Sequence, residues 1–314
     1  MEMVAAAKMR QAIEAVLKTR PYANLSWATV LDLARTVKVK GGETLHPLLA
    51  LENPFSSKAG AERKVAIILV TSNRGLCGGF NSNIIKKALE EVKRKTSPSP
   101  SFVRRGTNKS SPYEGEEEGE VKYEFILLGK KGAVINKNFG LEVAADFPKM
   151  DYMNEIKEVI PAARMAVKDY LAGKYDKVMV VYTDYINAVK QLPRVKQILP
   201  VDLTEIDKHL GAIGGEAEKK DSAEVSLDFE YVFEPSPEEV LSQMLPRLIE
   251  IQLFQAILES SASENSARRF AMHQATEAAS DMVGELTLSY NKARQAGITS
   301  EIAEISAGAN ALAE

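Results

Sequence analysis

Thr71 to Asn83, TSNRGLCGGFNSN, holds the one arrangement of residues in this chain that points toward phosphate chemistry. Glycines at 75, 78 and 79 lie between an apolar run and a helical stretch, where bare backbone N–H groups can wrap an anion at a helix N-terminus. The spacing argues against this. Gly75, Gly78 and Gly79 do not fit G-x-G-x-x-G, and G-x-x-x-x-G-K-[ST] occurs nowhere in the chain. The plainer reading is a tight strand-to-helix turn with Asn or Ser capping the helix. Cys77 is the only cysteine, so it has no internal disulfide partner, and no base for a nucleophilic thiol is recognisable near it. It reads as a small buried residue. His46, His209 and His273 are far apart and show no metal-ligand spacing. Arg164, Arg268, Arg269 and Arg294 fall on predicted helices, where a solvated face is the ordinary role. Catalytic, metal and cofactor roles are therefore not expected.

The elements around the turn are more informative. Lys64–Val70, Tyr123–Leu128 and Lys177–Thr183 read as short buried strands. Val195–Leu199 and Phe229–Phe233 are further candidates. Helical stretches at about 82–95, 130–138 and 154–172 alternate with these strands, which predicts a mostly parallel sheet covered on both faces. Residues 96–120 are rich in Ser, Pro and Gly, with basic charge first and acidic charge after, and read as a flexible insertion. Residues 211–224 read as a second loose loop. A net charge of −3 leaves no electrostatic footprint for nucleic acid. The run Val65–Val70 is far short of a membrane span, and MEMVAAAKMR lacks the apolar core of a signal peptide. The expectation is a soluble chain on the cytoplasmic side.

Long helices flank this α/β region. Residues 1 to about 38 carry helical periodicity in Ile13, Val16 and Leu17 and again in Trp27, Val30, Leu31 and Ala34. Pro21 is expected to bend this helix and Gly41-Gly42 to stop it. Ser236-Pro237-Glu238-Glu239 is a helix start, and Pro246 is expected to kink or restart the helix. From Arg247 to Leu312 there are 66 residues without proline, a rod of ~100 Å. Its apolar stripe ends as Ile298, Ile302, Ile305, Ala309 and Leu312, a heptad seam. If the first helix of about 38 residues pairs antiparallel with the rod, ~28 residues remain without an internal partner and project ~40 Å. An apolar stripe of that length marks an interaction surface. Three readings fit: a shaft enclosed by other chains, a coiled-coil scaffold or adaptor that dimerises through the seam, and a Rossmann-type nucleotide-binding enzyme, which leaves the rod unexplained.

SNRGLCGGFNSN also resembles the signature turn, Arg74, Gly75, Cys77, Gly78 and Gly79 included, of the gamma subunit of F-type ATP synthases. MEMVAAAKMR followed by RPYA is similar to that family's N-terminal helix. ESSASENSARRFAM and LSYNKARQAGITSEIAEISAGANAL resemble its C-terminal helix. The three blocks stand in the family's order and span nearly the whole chain outside 96–120 and 211–224.

The resemblance implies an α/β fold in which a long antiparallel coiled coil of both termini (1–40 and 236–314) stands on a Rossmann-like foot domain (41–235). It implies a non-catalytic rotor without a cofactor, coupling proton-driven rotation of a membrane ring to conformational change in catalytic beta subunits. The implied partners are the alpha and beta subunits of the head, the epsilon subunit and the ring of membrane c subunits. The implied location is peripheral, at the cytoplasmic face of a bacterial inner membrane. Residue by residue, Arg294, Gln295 and Thr299 would be a polar catch for a beta-subunit loop. Ile298, Ile302, Ile305 and Ala309 would be the tip in the hexamer's apolar sleeve. Met1 and Arg268 would lie along the shaft near the beta levers, and Tyr231, Phe233 and Glu234 near the membrane ring. The family's first helix normally begins before the position matching Met1, so a shortened shaft or a misplaced start is expected. The insertion at 96–120 is a second departure. It does not resemble the cysteine-bearing insert of chloroplast members.

Overall fold

The computed structural model describes residues 1–39, 47–49, 63–96, 121–149, 156–201, 234 and 236–312. Five strands, β1 (Arg63–Val70), β2 (Val121–Leu128), β3 (Glu142–Phe147), β4 (Lys177–Tyr185) and β5 (Gln191–Leu199), form one sheet in the order β3-β2-β1-β4-β5. The pairings β2–β3, β1–β2 and β1–β4 are parallel, and β5 closes the edge antiparallel to β4. The three apolar runs read from sequence are the central strands. β3 was not anticipated, because EVAADF sits at the sheet edge and is only partly buried, with no continuous apolar run to mark it. The candidate strand Phe229–Phe233, the loop at 211–224, Gly41-Gly42 and residues 97–120 of the insertion lie outside the described residues.

Strand geometry divides the core in two, because successive side chains point to opposite faces. On one face Val65, Ile67, Leu69, Phe125, Leu127 and Met179 pack against Ile84 and Ala88 of α2 (Phe80–Thr96) and Ile135 of α3 (Val134–Phe139). On the other, Ala66, Ile68, Val70, Ile126, Val178 and Val180 meet Ala162, Ala166 and Tyr170 of α4 (Ile160–Leu171). The base of α5 (Pro237–Leu312) and Val16 and Val30 of α1 (Glu2–Val39) complete that second layer. The sheet is thus covered on both faces, as its all-apolar strands require.

Pro21, expected to bend the first helix, and Pro246, expected to kink or restart the second, both lie within continuous helices, α1 and α5. A proline removes one N–H and crowds one carbonyl, and packing on either side outweighs that local loss. Leu245 and Leu248, flanking Pro246, are buried against the sheet layer. The consequence is geometric. α5 has 76 residues and α1 has 38, so α5 is the longer by 76 − 38 = 38 residues, ~57 Å of helix. The difference read from sequence, about 28 residues, counted the second helix from Arg247, whereas it begins at Pro237.

Candidate functional site: the turn, the shaft junction and the tip

In a doubly wound sheet, ligands bind at the carboxyl ends of the strands where the winding reverses. Here the reversal lies between β1, which continues through α2 to β2, and β4 on its other side. The turn after β1 sits at this point, and so does α5. A cavity of about 290 Å³ remains between them, lined by Cys77, Gly79, Thr183, Val189, Phe270 and Ala271 among others. Ser263 of α5 donates to the carbonyl of Thr183 in β4 at 3.3 Å. The long helix therefore stands against the crevice that a nucleotide would use in an open sheet of this kind.

The turn binds its own groups. Asn81 Oδ1 accepts from the Ser72 N–H at 3.1 Å, and Asn81 Nδ2 donates to Ser72 Oγ at 2.7 Å and to Cys77 Sγ at 3.3 Å. Asn81 thus reaches back to the strand exit, where the sequence suggested a helix cap. Ser72 Oγ donates to the carbonyl of Arg74 at 2.7 Å, and Ser72 O accepts from the N–H of Lys131 at 3.0 Å. Gly78 has φ +55°, so its conformation is set by the turn, while a Cβ there would make only ordinary contact, 4.0 Å, with the Cβ of Ala271 in α5. Cys77 is buried among amide and hydroxyl groups. The turn's polar groups thus bind one another, and among the described residues the thiol's partners are Ser72, Asn81 and the Arg74 carbonyl, none of them a base. Among the described residues no group of three or more His, Cys, Asp or Glu could hold a metal ion.

Two polar clusters fasten α5. In the lower one Thr19 Oγ1 lies 2.8 Å from Gln255 Oε1, and Arg20 of α1 reaches Glu259 at 3.4 Å and the Tyr185 carbonyl at 3.3 Å. Gln255 Nε2 donates to Glu259 at 2.9 Å. Burial pushes the Glu259 carboxyl above its ordinary pKa, with Asp184 adding to the rise and Gln255 and Arg20 opposing it. In the upper cluster the buried Lys149, just after β3, meets Glu264 at 2.8 Å, and Arg268 meets the same carboxylate at 2.8 Å. Arg268 also points toward the carbonyls of Arg74 and Gly75, each at 3.5 Å. Burial would raise the Glu264 pKa, but Lys149 and Arg268 together hold it below the usual carboxylate value. Nearer the tip, His273 Nδ1 lies 3.4 Å from Glu2 at the start of α1. Between the lower cluster and the start of α1 the contacts run in opposite residue order, Arg20 to Glu259 and Glu2 to His273.

Beyond His273, α5 is exposed on every side through Ala309, apart from a half-buried Asn291. Ile298, Ile302 and Ile305 are 49%, 61% and 72% exposed, and Met282, Leu286 and Tyr290 extend the open apolar row toward the sheet. Arg294, Gln295 and Thr299 are also exposed, with the Thr299 hydroxyl donating to the carbonyl of Gln295 at 2.8 Å. At 100° per residue Arg294 falls within about 40° of Ile298 and so borders the apolar seam. Met1 is exposed, as is Glu234, whereas Tyr231 and Phe233 lie outside the described residues. The sequence residues therefore separate into a turn group, joined by Arg268, and a tip group far along the same helix. Lys149, Glu264, Arg20 and Glu259 escaped sequence reasoning, because lone charged residues in an otherwise ordinary pattern carry no mark of burial.

A family profile described as ATP synthase matches residues 1–312. The chain is 37% identical to an ATP synthase gamma chain of Pelotomaculum thermopropionicum, over 99% of this chain and 92% of that protein. It is 38% identical to one from Herpetosiphon aurantiacus with the same coverage. A chain from the central stalk and c-ring structure of the Tetrahymena thermophila mitochondrial ATP synthase shares the fold at TM-score 0.55 and 20% identity, covering 88% of this chain and 97% of that one. A chain of the Euglena gracilis mitochondrial ATP synthase, in rotational state 3, gives TM-score 0.53 at 18% identity, covering 98% and 95%.

Proposed function

Because the chain belongs to the ATP synthase gamma-chain family, we propose that it is the central rotor shaft of a proton-translocating F-type ATP synthase and is not itself catalytic. The observation that carries this reading is the length of α5 beyond α1, 38 residues with an apolar row left open to solvent. An exposed stripe of that extent needs a partner. The alpha and beta subunits of the head supply it as a sleeve around Ile298, Ile302, Ile305 and Ala309. Arg294, Gln295 and Thr299, on the border of that seam, form the polar catch for a beta-subunit loop, and Met1 and Arg268 face the beta levers. The two long helices form an antiparallel coiled coil over residues 1–40 and 236–314, seated on the α/β foot of residues 41–235. The foot meets the epsilon subunit and the c ring, with Tyr231, Phe233 and Glu234 nearest the ring. The proposed position is peripheral, on the cytoplasmic face of a bacterial inner membrane; among the described residues no helix is long and apolar enough to cross a membrane.

The mechanism is mechanical. A shaft with unequal faces is a ligand that each beta subunit meets in a different orientation. It shifts a beta subunit's conformational population only through its differential contacts with the two states. A smooth apolar tip gives confinement with few directional bonds, which suits a bearing. The test is assembly with alpha and beta subunits. One copy of this chain per hexamer is expected, and removal of residues 298–314 should weaken coupling of ATP hydrolysis to proton pumping while the foot stays folded. A chain that forms homodimers and never enters the hexamer would instead establish the scaffold reading.

A further inference from the structure

α5 leaves the sheet domain abruptly. Its residues are buried or half-buried from Leu248 to Arg268 and largely exposed from Arg269 onward. At this exit lies Glu264, 8% exposed, between Lys149, 4% exposed, and Arg268. The surroundings of this carboxylate connect three strand ends. Lys149 follows β3, and its carbonyl accepts from the side chain of Asn73, which follows β1. Asn73 Oδ1 in turn accepts from the N–H of Lys130, which follows β2, at 3.4 Å. Arg268 leads from Glu264 to the Arg74 and Gly75 carbonyls of the same turn.

Below this level α5 meets the sheet through apolar packing, which is non-directional and resists separation more than rotation, while its ion pairs there, Arg20–Glu259 and Arg164–Glu250, join it to the helices α1 and α4. Charged hydrogen bonds are directional and shorter, and separating a buried pair strands a charge in the interior. We infer that Glu264 is a torque pin. It fixes the rotational setting of the long helix on the sheet domain, with Lys149 and the turn carbonyls reached through Arg268 as its anchors. This rests on the rotor reading for its purpose, since only a driven shaft needs its angle fixed where it leaves the body that turns it. Glu264 is here a positioning residue. It acts through Lys149 and Arg268 and touches no reacting group.

The test compares the parent, Glu264→Gln, and the double variant Lys149→Met with Glu264→Met. The double variant removes both charges and keeps side chains of similar length, so thermal stability of the isolated chain is expected to return toward the parent. Hydrogen exchange on the isolated chain is the first readout. Amides 73–79 and 262–268 should open together, about tenfold faster in both variants, even where stability is restored. The second readout is proton pumping per ATP hydrolysed in the assembled complex, expected to fall at least about threefold in the double variant. Parental exchange in the double variant overturns the pin, and raised exchange with parental pumping overturns its torque role. If the parental chain never assembles with alpha and beta subunits, the rotor reading fails, and exchange alone decides whether Glu264 fixes the helix.

Discussion

Replacing Ile298, Ile302 and Ile305 together by alanine should have opposite effects on the isolated chain and on the assembly. The three side chains are 49%, 61% and 72% exposed and belong to neither core cluster. In the isolated chain they contribute little packing, and alanine is the better helix former by about 0.4 kcal/mol per site. The isolated variant should therefore keep its melting temperature and gain slightly in helix content. Within an apolar sleeve the same residues would complete their burial. Finishing the burial of each is worth about 1–2 kcal/mol, and alanine retains a minor part of it. The loss is then about 3 kcal/mol for the three, or about a hundredfold in affinity. The assays are thermal unfolding by circular dichroism and titration of the chain into an alpha–beta hexamer that lacks its own shaft. Had the seam been covered by this same chain, each substitution would cost about 2–5 kcal/mol and the isolated protein would visibly destabilise. That outcome, or parental affinity for the hexamer, would refute the reasoning.

Further outcomes follow from the junction. Gly129→Ala should destabilise the chain by about 3 kcal/mol in urea unfolding. Gly129 has φ +106°, and a Cβ there would lie 2.4 Å from the carbonyl oxygen of Thr71. Glu259→Gln should become more stable relative to the parent as pH rises. Because burial raises the folded-state pKa of Glu259, its contribution is fully present below the unfolded carboxylate value near 4.5 and is lost as pH climbs through the raised one. Melting temperatures of both proteins between pH 4.5 and 8 check this, and a pH-independent difference would contradict it. Calorimetry with adenine nucleotides on the isolated chain should show no binding at the Thr71–Asn83 turn. Micromolar affinity there would reinstate the nucleotide-enzyme reading.

Much of the fold was legible because it is written in period and run length. Val65–Val70, Tyr123–Leu128 and Lys177–Thr183 are apolar throughout, which a strand buried on both faces requires. The rod was legible as a long proline-free stretch with a repeating seam, and the turn as glycines between strand and helix. At the two prolines the structure settles only that neither ends its helix, so Pro246 does not restart one. Propensity at Pro21 and Pro246 is a local quantity, and burial on both sides of Pro246 is a sum over distant contacts. The strand β3 carried too little apolar signal at its edge position to be seen.

The sequence by itself determined the sheet's central strands, the existence of a rod with an apolar edge, and the absence of a phosphate-binding motif. These depend on neighbours within a few residues, so spacing is enough. Only the tertiary structure decided that α5 stands against the crevice at the strand ends, that it runs exposed beyond His273, and that Lys149, Glu264 and Arg268 meet where it emerges. Lys149 and Glu264 are 115 positions apart in the chain. Their attraction exists only after the apolar layers have brought β3 and α5 together, so no local pattern could announce it.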